Sequence, residues 1–288
     1  MTRLLHARIS AAPATFASLA VLTALPILVS PGVVATQPSP AATAAYDTSI
    51  RSLESRLAQQ HLSQREFLAS LAPGSSRDRE LRRGALLLED LTPAAPNLPG
   101  AMLHHWRATT FVPGATATGF DRLLRDFSAY PHIFAPQVER IAILSGSGDR
   151  YQIEMRLRQH HMLTVILELT CTVSFRRLDA RRGSSVSACI VRSQSSQSGE
   201  SSADQGFLWR MNTYWSYEQR NGGLYLQLES VSLSRSIPFG LAWAVRPYVE
   251  SIPRDSLAFT LSAARRTLQQ SPRRGALPPS SVSLNERN

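Results

Sequence analysis

With 288 residues, 43% of them hydrophobic and 18% charged, the chain is long enough for one large domain or two small ones and apolar enough to build a core. All 31 basic residues are arginine. The lysine of a P-loop, of a kinase site or of a Schiff base is therefore missing, which excludes P-loop nucleotide hydrolysis and pyridoxal chemistry. The net charge of +10 is spread over short pairs such as Arg82-Arg83, Arg176-Arg177, Arg181-Arg182 and Arg265-Arg266. It reads first as a solvated basic surface, second as peripheral attraction to lipid headgroups, and not as a nucleic-acid site.

Residues 1–35 have the pattern of a secretory signal peptide. Arg3 and Arg8 precede an apolar run from Ala14 to Val29, and small residues follow at Val33 and Ala35, with Ala42-Thr43-Ala44 as a second cleavage site. The run is broken by Pro26 and is shorter than the roughly 20 apolar residues of a membrane span, so an N-terminal anchor is the alternative. No cysteine precedes Cys171 to carry a lipid. An exported chain, periplasmic or secreted, is the expectation.

Residues 36–100 read as a flexible leader, Pro-, Ala- and Thr-rich to Ala45, followed by a helical extension. Asp47-Thr48-Ser49 can cap a helix reaching Leu71, and Pro73-Gly74 stops it. A short helix is expected over Arg77–Arg83 and a strand over Ala85–Leu91. From Ala101 to Val112 the pattern is again a strand. Thr118 to Ala129 is helical, with Phe120, Leu123, Leu124 and Phe127 on one face, and a further turn is expected after Tyr130-Pro131.

From Val138 onward the apolar residues recur at every second position. Val138–Leu144 is followed by the hairpin turn Ser145–Asp149. Tyr151, Ile153, Met155 and Leu157 then alternate with polar residues, and Leu163 to Phe175 line one face of a long strand. Ser185–Val191 answers it. There the apolar face is Val186, Ala188 and Ile190, which places Cys189 on the opposite side from Cys171, and a disulfide needs both Cβ atoms on one side. A different turn register would bring the two thiols together. Ser193–Gln205 is a long polar loop. Phe207, Trp209, Met211, Trp215 and Tyr217 share the face of the next strand, and Asn221-Gly222-Gly223 turns into Leu224, Leu226 and Leu228. The shift in parity to Val231 and Leu233 suggests a bulge.

After Pro253 the apolar spacing changes to three and four, at Leu257, Leu261, Ala264 and Leu268. A terminal amphipathic helix is expected there, with Ser251 and Pro253 at its start and Ser271-Pro272 at its end. Residues 271–288 read as a disordered tail.

The order strand, two short helices, six strands, long helix, together with Phe127-Ser128-Ala129-Tyr130-Pro131-His132-Ile133-Phe134-Ala135-Pro136-Gln137-Val138, resembles the START-like helix-grip superfamily. Within it the likeness is to the polyketide cyclase/dehydrase and lipid-transport group, coenzyme-Q-binding proteins included. It spans Ala101 to Leu268. The resemblance implies an α+β fold in which a curved antiparallel sheet wraps a long C-terminal helix, over residues 101–270, with an apolar cavity between them. It carries no shared catalytic residues. The N-terminal extension and the export signal depart from the group.

The expected ligand is a hydrophobic or lipid-like small molecule, with no cofactor and no metal. Phe207, Trp209, Met211, Trp215 and Tyr217 offer large flat surfaces suited to a sterol, quinone, acyl chain or polyketide, or they pack against the helix. Phe134, Tyr151, Met155 and Trp243 complete the candidate lining. His104-His105 and His160-His161 are adjacent pairs whose rings point to opposite faces of a strand, so each offers one ligand per side. Arg156, Arg158 and Arg210 form an outward stripe that is solvated or meets headgroups. A cyclase or dehydratase in the same space needs an inward polar group. An envelope interaction module with a filled core is the third reading.

Overall fold

The computed structural model describes residues 37–63, 65–93, 98–160, 164–196, 208–236 and 242–270, with the side chains of 195–196 and 242–250 left out. The signal segment, the tail after Gln270, Phe207 and most of the Ser193–Gln205 loop lie outside the described residues. Eight antiparallel strands form one sheet: β1 (Leu86–Asp90), β2 (Ala101–Pro113), β3 (Val138–Ser147), β4 (Arg150–His160), β5 (Thr164–Arg177), β6 (Arg182–Ser196), β7 (Leu208–Arg220) and β8 (Gly223–Arg235). Their order is β1-β2-β8-β7-β6-β5-β4-β3. The last strand therefore pairs with β2, and three short helical elements connect β2 to β3. These are α3 (Ala117–Arg125), a 3-10 turn at Phe127–Ala129 and α4 (Tyr130–Ile133). β1 belongs to the same sheet, so the sheet starts ahead of Ala101.

Local chemistry fixes the turns. Thr116 Oγ1 accepts from Gly119 N at 3.1 Å and starts α3. Asn221 and Gly222 both adopt positive φ, 56° and 75°, as a two-residue hairpin between β7 and β8 demands. Asp179 Oδ1 accepts from the backbone N–H groups of Arg181 and Arg182 at 2.7 and 2.9 Å, closing the β5–β6 turn.

The terminal helix α5 (Ala242–Gln270) starts nine residues before the expected Ser251 and continues through Pro247 and Pro253. Its second half follows the sequence pattern: Leu257, Leu261, Ala264 and Leu268 are all buried. They pack on one face of the sheet, the inner face, against Ala108, Val112, Trp215, Leu224, Leu226 and Leu228. At roughly 1.5–3 kcal/mol for each fully buried leucine, this stripe is the main force holding helix to sheet.

The outer face is covered by the N-terminal extension. Helix α1 (Pro40–Leu62) begins inside the expected flexible leader and ends well before Leu71. Ser39 Oγ accepts from Ala42 N at 3.1 Å and Pro40 takes the first helical position, a strong start signal. Ala42, Tyr46, Leu53 and Leu57 then form one stripe and pack on Ala101, Tyr214, Val231 and Leu233. Beyond α1, Phe67, Leu68, Leu71 and Leu81 of α2 (Ser76–Arg82) pack on Phe111 and Tyr225 at the other end of the outer face. Among the described residues the extension is thus a strap across β2, β7 and β8.

The parity shift in β8 is not a bulge. β8 pairs with β2 without interruption from Pro113↔Gly223 to Ala101↔Arg235. The apolar positions change side because the outer face gains a partner: Val231 and Leu233 meet α1, while Ser230, Ser232 and Ser234 take over the inner face. Register shifts lie elsewhere, in β7 between Leu208 and Arg210, in β6 opposite Glu168/Leu169, and in β3 between Val138 and Arg140 and between Ile143 and Ser145.

Cys171 and Cys189 are direct cross-strand partners and form a disulfide with Cα atoms 4.1 Å apart. The parity argument fails because Val186, Ala188 and Ile190 face outward. Val186 lies under α1 and Ile190 stays exposed, whereas the polar-looking Ser185 and Ser187 share the inner face with Cys189.

The strap also carries a pH-sensitive residue. His61, at the end of α1, stacks on Phe67 with ring centroids 4.8 Å apart, and its Nε2 lies 3.0 Å from Ser216 Oγ. Burial, then the charges of Arg176, Arg182 and Arg56, push its pKa down to about 4. The unfolded chain binds a proton at His61 near pH 6.5 that the folded chain refuses, so stability falls as pH drops from about 6.5 to about 4. His61→Gln should flatten that limb of the pH–Tm curve, measured by thermal melts. An unchanged limb would show that His61 does not contribute to it.

Candidate functional site

The register divides the inner face into two ends. At the end where β8 begins, Leu224, Leu226, Tyr217 and Val112 are buried almost completely. Tyr217 is clamped there. Its hydroxyl donates to Asp121 Oδ1 at 3.0 Å and its ring meets Phe120 edge-on at 5.1 Å. Burial and then the Asp121 charge push its phenol well above the ordinary value, so it stays a fixed donor. Asp121 is thereby an acceptor anchoring α3, and Gln219 Oε1 accepts from Ala117 N at 2.9 Å beside it.

Toward the end where β8 finishes, the rows across the sheet change character. Ala108, Leu228, Trp215 and Ser185 form one row across β2, β8, β7 and β6. The next is Trp106, Ser230, Thr213 and Ser187. Beyond it come His104, Ser232, Met211 and Cys189, and then Met102, Ser234 and Leu208. Direct partners in an antiparallel sheet point to one side, so serine, threonine and histidine here alternate with methionine, leucine and tryptophan. Ser230, Ser232 and Ser234 are buried. Met102, Trp106, Met211 and Leu208 are only half-buried, as are Met155 and Leu157 farther across the sheet.

The predicted site residues separate accordingly. Trp215 and Phe134 are buried in the inner core, and Tyr151 and Met155 pack partly against it. Phe134 meets Tyr130 edge-on at 5.1 Å, and Tyr151 meets Phe127 at 5.3 Å. Met211 lies on the inner face opposite Cys189. Trp209 does not. The β7 bulge places both Trp209 and Arg210 on the outer side, where Trp209 packs into the α1 cluster and Arg210 pairs with Asp47 of α1 at 3.5 Å. A strict two-residue alternation cannot register a single inserted residue. Phe207 and the side chain of Trp243 lie outside the described residues.

Sequence reasoning missed the hydroxyl-bearing rows. Their signal was present in Ser230-Val231-Ser232-Leu233-Ser234, a clean alternation whose polar half faces inward only because α1 claims the other half. His104 also faces inward. Its neighbour His105 faces outward and joins Glu229 at 3.0 Å, as adjacent strand residues must. Arg156 pairs with Glu139 at 2.8 Å and Glu168 at 2.6 Å, and Arg158 pairs with Glu139. The outward arginine stripe is therefore largely neutralised by carboxylates.

No protein-family model and no curated protein matches the chain. Solved structures do. A STAR-related lipid transfer protein fragment from Xanthomonas axonopodis is 14% identical, covering 64% of this chain and 99% of its own, with a TM-score of 0.44. The Zhui aromatase/cyclase from a Streptomyces species is 14% identical, covering 58% of this chain and 94% of its own, with a TM-score of 0.43. The human StarD13 lipid transfer and protein localization domain is 10% identical, covering 68% of this chain and 95% of its own, with a TM-score of 0.40. By its own topology, β2, two short helices, a six-strand meander returning to β2, and α5 across the inner face, the chain is an α+β helix grip, an antiparallel sheet closed by a long C-terminal helix.

Proposed function

We propose that the protein binds a hydrophobic or lipid-like small molecule on the inner face of its sheet, toward the end where β8 finishes. The observation that carries this is the grading of the inner face. At one end it is close-packed, and at the other large apolar side chains (Met102, Trp106, Leu208, Met211, Met155 and Leu157) stay half-buried on the face that holds α5. Concave apolar surface with a few polar groups is what ligand sites use, and each ligand CH₂ withdrawn from water contributes roughly 0.8 kcal/mol. Mass spectrometry of an organic extract from natively sourced protein should show a co-purifying hydrophobic compound. Trp209→Ala should leave its retention unchanged, because Trp209 lies under α1. An empty extract, together with no uptake of added lipid, would overturn the reading.

A cyclase or dehydratase acting on a polyketide-like substrate is the second reading. It is favoured by His104, which shares the inner face with Ser232 and carries an imidazole, the kind of group that general acid–base chemistry uses. Incubation with a linear poly-β-ketone thioester tests it, and absence of any cyclised or dehydrated product would remove it.

We further propose export to the periplasm or medium, which the Cys171–Cys189 disulfide supports, since such bonds persist in oxidising compartments. N-terminal sequencing of protein from cells should begin near Thr36 or Ala45, whereas an intact Met1 would refute cleavage.

A further inference from the structure

We propose that the ligand carries an uncharged, hydroxyl-bearing head, seated against Ser187, Thr213, Ser230, Ser232, Ser234 and Gln194. This rests on the hydrophobic-ligand reading above and adds the chemistry of its polar end. Ser187, Thr213 and Ser230 are successive partners across β6, β7 and β8, Ser232 lies one row on opposite Met211, and Ser234 one row farther opposite Leu208. Gln194 pairs with Leu167 of the inner core, which places its amide on the same face. The group thus occupies the end of the sheet where β6 and β8 finish and β7 begins.

Two of these side chains give the second, independent observation. Ser234 and Gln194 are about nine-tenths buried, at 8% and 9% exposure. Ser234 Oγ and Gln194 Oε1 have no hydrogen-bond partner among the described residues. A buried polar atom left unpaired costs about 1–3 kcal/mol, so an occupant that supplies donors to both would recover that cost. Hydroxyls and amides can donate and accept, which suits a head with several hydroxyls, such as a glycerol or sugar.

Charge argues against an ionic head. Ser187, Gln194, Thr213 and the three serines, together with their row partners Met102, His104, Trp106, Leu208 and Met211, include no Arg, Asp or Glu, and His104 is the one titratable side chain among them. Arg107 and Arg210 face outward: Arg107 joins Glu89 and Glu229, and Arg210 joins Asp47. An anionic head on the inner face would be desolvated with no arginine to pair with and only the His104 imidazole near it.

The test uses three probes with one ten-carbon chain: 1-O-decylglycerol, decanoate and decane. Their affinities for the full-length protein are measured by displacement of a fluorescent fatty-alcohol probe. Decylglycerol should bind about tenfold or more tightly than either of the others, the gain of two or three uncharged hydrogen bonds. The triple variant S230A/S232A/S234A, with its melting temperature checked, should lose that advantage and keep its affinity for decane. Equal binding of decylglycerol and decane, tighter binding of decanoate, or an undiminished preference in the variant would overturn the head-group inference and leave the hydrophobic-ligand reading standing. No binding of any probe would overturn both.

Discussion

Glu229→Ala should destabilise the protein by about 3–5 kcal/mol, the cost of breaking a buried ion pair and leaving its partners uncompensated. Glu229 is 1% exposed on β8. Its Oε2 accepts from Arg56 of α1 at 2.6 Å and lies 3.0 Å from His105 Nε2, while Arg107 Nη1 stands 3.6 Å from Oε1. Burial raises the carboxyl pKa, but the His105 hydrogen bond and the charges of Arg56 and Arg107 outweigh it and hold the group below its ordinary value. Removing the carboxylate leaves Arg107, itself 5% exposed, with Glu89 at 2.8 Å as its remaining carboxylate and Ser70 Oγ at 3.1 Å. It also removes one of the ties between α1 and the sheet, the Arg56 contact. Urea unfolding followed by circular dichroism reads the loss. A change under 1 kcal/mol would mean that water or Glu89 takes over the charge. The pH dependence has a definite sign. The carboxyl's contribution is present above its unfolded value, near 4.5, and is lost as pH falls through its lower folded value. In Glu229→Gln that part of the acid limb should disappear.

Gly183→Ala should cost about 2–4 kcal/mol, for a steric reason. Gly183 is the cross-strand partner of Tyr217, and a Cβ added there would overlap the phenol ring at Oη and Cζ. The ring cannot easily move. Phe120 packs on its edge, and its hydroxyl is committed to Asp121. Forcing it aside combines overpacking, about 1–3 kcal/mol, with the loss of a largely buried hydrogen bond. A double-mutant cycle separates this from any intrinsic effect of losing a glycine. In a Tyr217→Leu background the cost of Gly183→Ala should shrink toward zero. Purely additive effects would show that the clash is not its source. Because Tyr217 is fixed to α3 in this way, that end of the inner face is structural, and the proposed ligand site is set at the other.

The strap also changes what the sheet can present. In a bare antiparallel sheet one face packs and the other meets water. Here β2, β7 and β8 are packed on both faces. Their outer positions therefore hold apolar or ion-paired residues such as Val231, Leu233, Tyr214 and Glu229, which meet α1. The hydroxyls of Ser230, Ser232 and Ser234 are thereby carried on the inner face of the same strands, where the unpaired Ser234 Oγ has a cost.

The sequence by itself determined the element order, because periods of two and of three to four follow from strand and helix geometry without reference to partners. Leu257, Leu261, Ala264 and Leu268 were legible as the gripping stripe, Tyr151 to Leu157 as a half-buried strand, and Asn221-Gly222 as the hairpin. The fold class followed from that order. What only the tertiary structure decided is which side of each strand is inside. Periodicity reports that a strand has two unlike faces, and a face becomes buried only when some other segment arrives to cover it. Helix α1, starting at Ser39-Pro40, covers Val231, Leu233, Val186 and Trp209. That turned Ser230, Ser232 and Ser234 inward, placed Cys189 opposite Cys171, and removed Trp209 from the candidate lining, while a one-residue bulge in β7 left Met211 on the inner face.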